Sequence, residues 1–253
     1  MIEVKDLTVG YGKKEILQGI SATFPDGKLS VILGPNGCGK TTLLKTAAGL
    51  IVPTEGTVLL SGRDSAAMSG RERAKAVALM PQLRHTPSMS VEELLFCARY
   101  PYLGFGRSPR EADKAAVEEA MERCGITAFR ARQLRTLSGG ERQRVYFAMA
   151  LAQGTSNLLL DEPTTYLDPE TQFEIFELAK AAAGSRKCVV LVTHDLPFAL
   201  RYADCLTVLN GGSVAASGSA AELCECGVFP EVFRVDVVPV TLPEGKEYVV
   251  RRR

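Results

Sequence analysis

The chain has 253 residues, of which 46% are hydrophobic and 23% charged, a composition typical of a soluble globular protein with one large domain. Its 30 Lys and Arg nearly cancel its 29 Asp and Glu, which argues against a partner attracted by charge, such as nucleic acid. No apolar run approaches the roughly 20 residues of a membrane span, and the charged residues among positions 1–6 argue against a signal peptide. We therefore expect a soluble protein whose role at a membrane, if it has one, comes through a partner.

The seven cysteines are scattered and odd in number. They contain no C-x-x-C pair, so neither zinc nor a thioredoxin-like motif is predicted. The one close pair, Cys224 and Cys226, is interpreted as free thiols, which suit a reducing cytosol.

The first third of the chain alternates between strand and helix signals. The predicted elements are paired strands over 2–9 and 15–24, a strand over 29–33, a helix over 40–49, and strands over 57–61 and 77–80. The run over 29–33 is short, mostly apolar and stopped by Gly34-Pro35, which is typical of a strand buried inside a parallel sheet.

Helical signals dominate the middle of the chain. Ser90 begins a capping box for a helix that runs to about residue 100. Ser108 is predicted to cap a second helix over 109–125, with a proline in its first position. We interpret residues 87–137 as a helical subdomain inserted into an α/β core.

The α/β pattern then resumes. The predicted elements are a helix over 141–153, a strand over 157–160, a helix over 169–183, a strand over 188–192, a short helix over 197–203, and a hairpin of 206–210 with 213–216. Strands that alternate with helices predict a mostly parallel sheet covered on both faces. The tail from Val232 is predicted to be β-rich, and its last three arginines are interpreted as a solvated terminus.

The strongest motif is a phosphate-binding loop at residues 34–41, GPNGCGKT, set between an apolar strand and a helix. Its glycines let the backbone turn tightly and aim N–H groups inward, and the following helix adds the positive end of its dipole. Lys40 supplies a charge for the β and γ phosphates, and the hydroxyl of Thr41 suits Mg²⁺. The residues predicted to contact the nucleotide here are Gly34, Pro35, Asn36, Gly37, Cys38, Gly39, Lys40, Thr41 and Thr42. The motif in this context predicts binding and hydrolysis of ATP with Mg²⁺.

A second apolar run, residues 158–160, ends in Asp161 and Glu162. A strand that delivers a carboxylate beside a phosphate loop can hold Mg²⁺, which is the role predicted for Asp161. Glu162 is one residue further and points elsewhere, where it could orient or deprotonate the attacking water. The alternative is a pair of solvated carboxylates at a strand end, which the neighbouring phosphate loop disfavours.

Residues 137–143, LSGGERQ, resemble the signature motif of ABC-type ATPases. Ser138 through Glu141 also forms a capping box that opens a helix, and glycines at a helix start offer bare N–H groups to an anion. The resemblance implies that Ser138, Gly139, Gly140 and Glu141 face the γ phosphate held by another copy, so that two ATPs lie between two domains. The family mostly has Gln where this chain has Glu141.

Other positions match the same family in order. They are Tyr11 for the aromatic that stacks on adenine, Gln82 for the Q-loop glutamine, Asp161 and Glu162 for the Walker B pair, residues 166–168 for the D-loop, and His194 for the switch histidine. For Tyr11 a plain hairpin tyrosine is the alternative. The resemblance implies catalytic roles for Lys40, Gln82, Glu162 and His194, and metal ligation by Thr41, Gln82 and Asp161.

The resemblance covers about residues 1–220 and implies an α/β fold: a P-loop NTPase (RecA-like) core with an N-terminal antiparallel β subdomain and the inserted α-helical subdomain. We expect a nucleotide-binding domain over 1–227 and a short β-rich C-terminal extension over 228–253. Residues 99–104, RYPYLG, and 161–168, DEPTTYLD, look like the subfamily that energises uptake of ferric siderophores, haem and vitamin B12.

The resemblance also implies partners. They are a second copy of the ATPase, integral membrane permease subunits and, indirectly, an extracytoplasmic solute-binding protein, with the chain peripheral at the cytoplasmic face of a prokaryotic membrane. An ATPase for another solute, such as free metal ions, stays open. So does a soluble ABC-type protein that acts on DNA or the ribosome, although the long coiled-coil or zinc insertions and fused domains usual in that class are missing here.

Overall fold

A computed structural model describes residues 1–12, 14–82, 86–103, 108–243 and 245–253. The strands are β1 (Ile2–Tyr11), β2 (Lys14–Phe24), β3 (Leu29–Leu33), β4 (Glu55–Leu60), β5 (Arg63–Asp64), β6 (Val77–Met80), β7 (Asn157–Asp161), β8 (Cys188–Val192), β9 (Cys205–Asn210), β10 (Ser213–Gly218), β11 (Val235–Leu242) and β12 (Gly245–Arg252). The α-helices are α1 (Lys40–Ala47), α2 (Gly70–Ala76), α3 (Val91–Cys97), α4 (Glu111–Arg123), α5 (Gly139–Ala152), α6 (Pro169–Gly184), α7 (Leu196–Tyr202), α8 (Ala220–Glu225) and α9 (Val228–Phe233). Short 3-10 turns lie at Ser65–Ala67, Tyr100–Tyr102, Thr127–Phe129 and Leu134–Thr136. None of the helices in the described ranges combines the length and the apolar content needed to cross a lipid bilayer.

A six-stranded sheet forms the core, in the order β10-β9-β3-β8-β7-β6. The pairs from β9 to β6 are parallel, and only the β10 hairpin arm is antiparallel. Every residue of β3, β7 and β8 is buried, as expected of strands covered on both faces. The mostly parallel sheet predicted from the sequence is confirmed. Because parallel strands end at one edge, the loop after β3 and the acids that end β7 come to the same side of the sheet.

The apolar side chains of the core strands alternate between the two faces of the sheet, and each face belongs to a separate hydrophobic cluster. Val31 packs with the helices α3 to α7, and the next residue, Ile32, packs with α1 and the N-terminal strands. Successive side chains of a strand point to opposite faces, so one apolar run serves both layers.

A second, antiparallel sheet, in the order β2-β1-β4-β5, forms the N-terminal subdomain. Its apolar side chains share one cluster with α1 and with one face of the core sheet. The paired strands predicted for the N-terminus are confirmed, and so is the fold class as a whole. Strand β5 and helix α2 were not predicted, because both are short and α2 has no buried residue to give an apolar period.

The helical segment contains α3 and α4. The capping box at Ser90 is confirmed, but α3 ends at Cys97, and a 3-10 turn over Tyr100–Tyr102 replaces its predicted last residues. Pro101 disfavours the α conformation of the residue before it, which accounts for the earlier end. Residues 104–107 of the predicted subdomain lie outside the described residues. The boundaries 87–137 stay a prediction.

The predicted start of α4 at residue 109 is wrong, because the helix begins at Glu111. The carboxylate of Asp113 accepts a hydrogen bond of 3.0 Å from the backbone N–H of Arg110, so the cap lies there rather than at Ser108. Asp113 is also paired with Arg99 at 3.0 Å, with both side chains buried. Burial alone would raise the pKa of Asp113, but the hydrogen bonds from Arg110 and Arg99 outweigh it and lower the pKa.

The C-terminal region starts with helices that were not predicted. Both α8 and α9 have six residues, too few for a clear helical period, so the prediction of a β-rich tail from Val232 is wrong at its start. Strands β11 and β12 then form an antiparallel hairpin in which Pro239 pairs with Tyr248. The boundary between residues 227 and 228 stays a prediction.

Candidate nucleotide site

The phosphate loop connects the end of β3 to the start of α1, as predicted. Gly39 caps α1 in a left-handed conformation with φ 104°, and a Cβ there would lie 2.4 Å from Cδ2 of Leu17. At Gly34 a Cβ would lie 2.4 Å from the carbonyl oxygen of Leu209. Both positions therefore exclude any side chain, because the surrounding backbone and core leave no space for it.

Lys40 is buried at the start of α1. Its ammonium group donates hydrogen bonds to the carbonyl oxygens of Gly34 at 2.7 Å and Pro35 at 3.0 Å. These bonds hold a positive charge over the loop, where phosphate oxygens would meet it. Cys38 is buried too, and burial raises the pKa of its thiol. Its side chain faces the interior, so Cys38 can serve an anion only through its backbone.

Thr41 and Asp161 meet across the sheet edge. The hydroxyl of Thr41 donates a hydrogen bond of 3.0 Å to a carboxylate oxygen of Asp161. Asp161 is buried, and this desolvation raises its pKa. A hydroxyl beside a carboxylate is an oxygen donor set that fits Mg²⁺, which usually takes few protein ligands and completes its shell with water and phosphate.

Two predicted catalytic side chains, Gln82 and His194, approach one carboxylate oxygen of a third, Glu162. Oε2 of Glu162 accepts a hydrogen bond of 2.6 Å from Nε2 of Gln82, and Nδ1 of His194 lies 3.7 Å from the same oxygen. The hydroxyl of Thr165 donates to it as well, at 3.1 Å. Glu162 itself has φ 47°, an uncommon conformation for a residue other than glycine. The sequence analysis did not predict Thr165 as part of this group.

A cavity of about 360 Å³ covers the phosphate loop. Its lining residues are Tyr11, Lys14, Ile16, Asn36, Gly37, Gly39, Lys40, Thr41, Thr42 and Glu162. The structure thus brings Tyr11, 56% exposed, to the same cavity as the loop. Lys14 and Ile16 were missed, and their place at the start of β2, opposite Tyr11 in the hairpin, is the signal that could have found them.

The signature segment lies at the start of α5. The capping box is confirmed: Ser138 accepts from the backbone N–H of Glu141, and the carboxylate of Glu141 accepts from that of Ser138 at 2.7 Å. This hydrogen bond, with an ion pair to Arg132, lowers the pKa of Glu141. Because the Glu141 carboxylate already has these partners, its predicted contact with nucleotide stays a prediction.

The signature segment faces a different cavity, of about 420 Å³. The described residues that line it are Ser138, Gly139, Gly140, Glu141, Arg144, Tyr166, Leu167, Asp168, Glu170, Thr171 and Glu174. None of them lines the cavity over the phosphate loop. Within one chain the two predicted halves of the nucleotide site therefore remain apart.

A third cavity, of about 510 Å³, lies between the other two. Glu162 lines both this cavity and the one over the phosphate loop, and Gly139 lines both this cavity and the signature one. Gln82 and Thr165 also contribute to it. Glu162 thus lies at the boundary between the cavity over the phosphate loop and the third cavity, which extends to the start of α5.

Known proteins share these features. A family model described as "ABC transporter" matches residues 17–165, which include the phosphate loop, the signature segment and Glu162. The chain belongs to the ABC transporter family. It is an ATP-binding domain and an ATPase of that family. Tyr11 and His194 lie outside the matched residues, so the family match does not bear on their predicted roles.

Relatives in this family extend along nearly the whole chain. The iron(3+)-hydroxamate import ATP-binding protein of Bacillus subtilis (strain 168) is 39% identical over 98% of this chain and 93% of its own length. The hemin import ATP-binding protein of Bradyrhizobium diazoefficiens is 38% identical over 99% of this chain and 94% of its own length. A solved dimeric bacterial ABC transporter cassette superposes with a TM-score of 0.75 at 27% identity, over 87% of this chain and 99% of that one.

Proposed function

We propose that the chain is the ATP-hydrolysing subunit of an ABC importer that takes up a metal chelate, a ferric siderophore first, with haem or cobalamin as alternatives. The observation that carries this proposal is the near full-length similarity to import ATP-binding proteins for an iron(3+) hydroxamate and for hemin. The motifs at 99–104 and 161–168 point to the same subfamily.

The roles proposed for the site residues follow the motifs, and the geometry around the phosphate loop supports them. The loop amides and the Lys40 ammonium bind the phosphates, and Tyr11 stacks on the adenine. Thr41 and Asp161 would hold Mg²⁺, with Gln82 as a further oxygen ligand, and the ion would supply positive charge to neutralise the phosphates. The contact of 3.0 Å between Thr41 and Asp161 supports this assignment.

Glu162 is proposed as the base. It accepts a proton from water as the water oxygen forms a bond to the γ phosphorus, and the bond to the β–γ bridging oxygen breaks with its electron pair staying on ADP. His194 donates a hydrogen bond to an oxygen of the γ phosphate, where negative charge develops in the transition state. The convergence of Gln82 and His194 on Glu162 supports this arrangement.

Two copies are proposed to complete each site. Ser138, Gly139 and Gly140 of one copy close over ATP held by the other, which accounts for their separate cavity in the single chain. The helical subdomain and the Gln82 segment would carry this closure to integral permease subunits, and a solute-binding protein outside the membrane would deliver the cargo. The chain would then lie at the cytoplasmic face of a prokaryotic membrane.

Reconstitution tests this function. The chain is co-purified with its permease, and uptake into vesicles is measured with a ferric siderophore, haem and cobalamin in turn. We expect ATP-dependent uptake of one of them, and none when the complex carries Glu162→Gln. Failure with all three, together with ATPase stimulation by another solute such as a free metal ion, would overturn the assignment to chelates.

A further inference from the structure

Thr165 contacts the carboxylate of Glu162 in a way that no motif predicts. We propose that Thr165 is a positioning residue: its hydroxyl holds Oε2 of Glu162 so that the other oxygen, Oε1, faces the attacking water. The inference rests on the proposed role of Glu162 as the base. It assigns to Thr165 an effect on turnover exerted through Glu162 alone.

The contact is built by a turn of the chain itself. Glu162 is held at φ 47° while its backbone N–H donates to the carbonyl of Val192 at 3.0 Å. The backbone N–H of Thr165 lies 3.5 Å from the carbonyl oxygen of Glu162, which closes the turn. The same turn brings the Thr165 hydroxyl within 3.1 Å of Oε2. Because donor and acceptor lie three residues apart in one turn, their contact needs no other segment to form.

The other two neighbours of Oε2 come from distant segments. Gln82 lies 80 positions away in the chain and is exposed, and the His194 side chain is more than half exposed. Thr165 is half-buried and close in sequence. Of the three neighbours, it is therefore the one that keeps its contact whenever Gln82 or His194 turns toward nucleotide.

The hydrogen bonds and the ion pair that the described residues make with the carboxylate all involve Oε2. Among the described residues, none donates a hydrogen bond to Oε1 of Glu162. A carboxylate with one oxygen held in place loses the freedom to rotate, and the other oxygen keeps a constant direction. Thr165 thus separates the two oxygens into one that is held and one that accepts the proton.

The neighbouring threonine shows what a purely structural role looks like in this loop. Thr164 is 3% exposed, and its carbonyl oxygen accepts from the side chain of Gln172. Thr165 instead lines the cavity of about 510 Å³ together with Glu162. Removing its hydroxyl should therefore leave the packing of the loop intact.

The test compares Thr165→Val, which keeps the shape and removes the hydroxyl, with Thr165→Ser, which keeps the hydroxyl. Each is made in the wild type and in Glu162→Gln, and Thr57→Val, at an exposed threonine of β4, is the control. Single-turnover ATP hydrolysis, ATP binding and thermal unfolding are measured for each. We expect Thr165→Val to lower the single-turnover rate of ATP hydrolysis about tenfold, because one hydrogen bond to a charged group is lost. ATP binding should stay within about twofold of wild type. Thr165→Ser should keep most of the activity.

The background variant makes the test specific. If Thr165 acts through the carboxylate of Glu162, Thr165→Val should lower the rate no further once Glu162→Gln is present. Three results would each overturn the inference. They are a wild-type hydrolysis rate for Thr165→Val, equal losses of rate for Thr165→Val and Thr165→Ser, and a further tenfold loss for Thr165→Val in the Glu162→Gln background. If Thr165→Val does not fold, Thr165→Ala takes its place with the same expected loss. Normal turnover by Glu162→Gln alone would refute the base role itself, a result separate from these.

Discussion

The phosphate loop and the start of α5 both present glycines to a cavity, but they are built in different ways. Around the loop, Lys40, Thr42 and Asp161 are buried, and Thr41 is bonded to Asp161. At the start of α5, Ser138 and Gly139 are exposed. The polar groups around the loop find hydrogen-bond partners within one chain. The residues at the start of α5 instead keep a surface that is accessible to another molecule. The difference fits the proposal that one chain binds the phosphates and that the signature surface of a second copy completes the site.

The largest effect is expected at Glu162, which lines both the cavity over the phosphate loop and the cavity that leads to α5. Glu162→Gln keeps the shape and removes the base, so turnover should fall about 1000-fold while ATP binding to the loop stays near wild type. Single-turnover hydrolysis and equilibrium ATP binding measure the two quantities. Glu231→Gln, at an exposed glutamate of α9, is the matched control and should behave as wild type. Normal hydrolysis by Glu162→Gln would remove this residue from the mechanism.

A slightly smaller loss is expected on the signature side. Ser138→Arg places a long cation at the start of α5, where it would meet the partner copy, so steady-state ATPase activity should fall about 100-fold. ATP binding by the single chain should persist, because the loop cavity contains no signature residue. The control is Ser213→Arg, at another exposed serine. Full activity of Ser138→Arg would show that the site is not shared between copies.

Alanine substitutions at Gly139 and Gly140 should differ in their effect on stability. A Cβ on Gly139 meets nothing within 4 Å, but a Cβ on Gly140 would lie 2.9 Å from Oγ1 of Thr171. That hydroxyl also bonds the Asp168 carboxylate, so Gly140→Ala should cost about 1 kcal/mol of unfolding free energy. Gly139→Ala should leave stability unchanged or raise it slightly and should still lower ATPase activity about tenfold. Urea unfolding and ATPase assays compare the pair, and equal effects on stability would contradict this steric difference.

The smallest effect concerns the buried carboxyl of the loop side. Burial raises the pKa of Asp161, so without ligand the folded state holds this proton more tightly than the unfolded state. The contribution of Asp161 to stability is therefore greatest below the ordinary aspartate pKa of about 4, and it is lost as the pH rises above that value and through the raised pKa of the folded state. Urea unfolding of wild type and Asp161→Asn across this range gives the difference. A difference that does not change with pH would contradict the burial argument.

Much of the core was predictable because its signals are local. Strands β3, β6 and β8 have the bounds predicted from their sequences, since each is a short apolar run bounded by turn signals. The capping boxes at Ser90 and Ser138 are likewise complete within four residues. Helices α2, α8 and α9 were missed because each has at most seven residues, which is too short to show a clear helical period.

The phosphate loop, the acids Asp161 and Glu162 and the capped start of α5 were predictable from local sequence, because each is specified by neighbouring residues. The contacts that these segments make were not predictable in this way, because they depend on the tertiary structure. The strand order β3-β8-β7 brings Thr41 to Asp161 across 120 positions, and the side chain of Gln82 reaches Glu162 across 80 positions. It also leaves Ser138 facing a cavity of its own. These contacts depend on how strands distant in sequence pair in the sheet, and no local pattern carries that information.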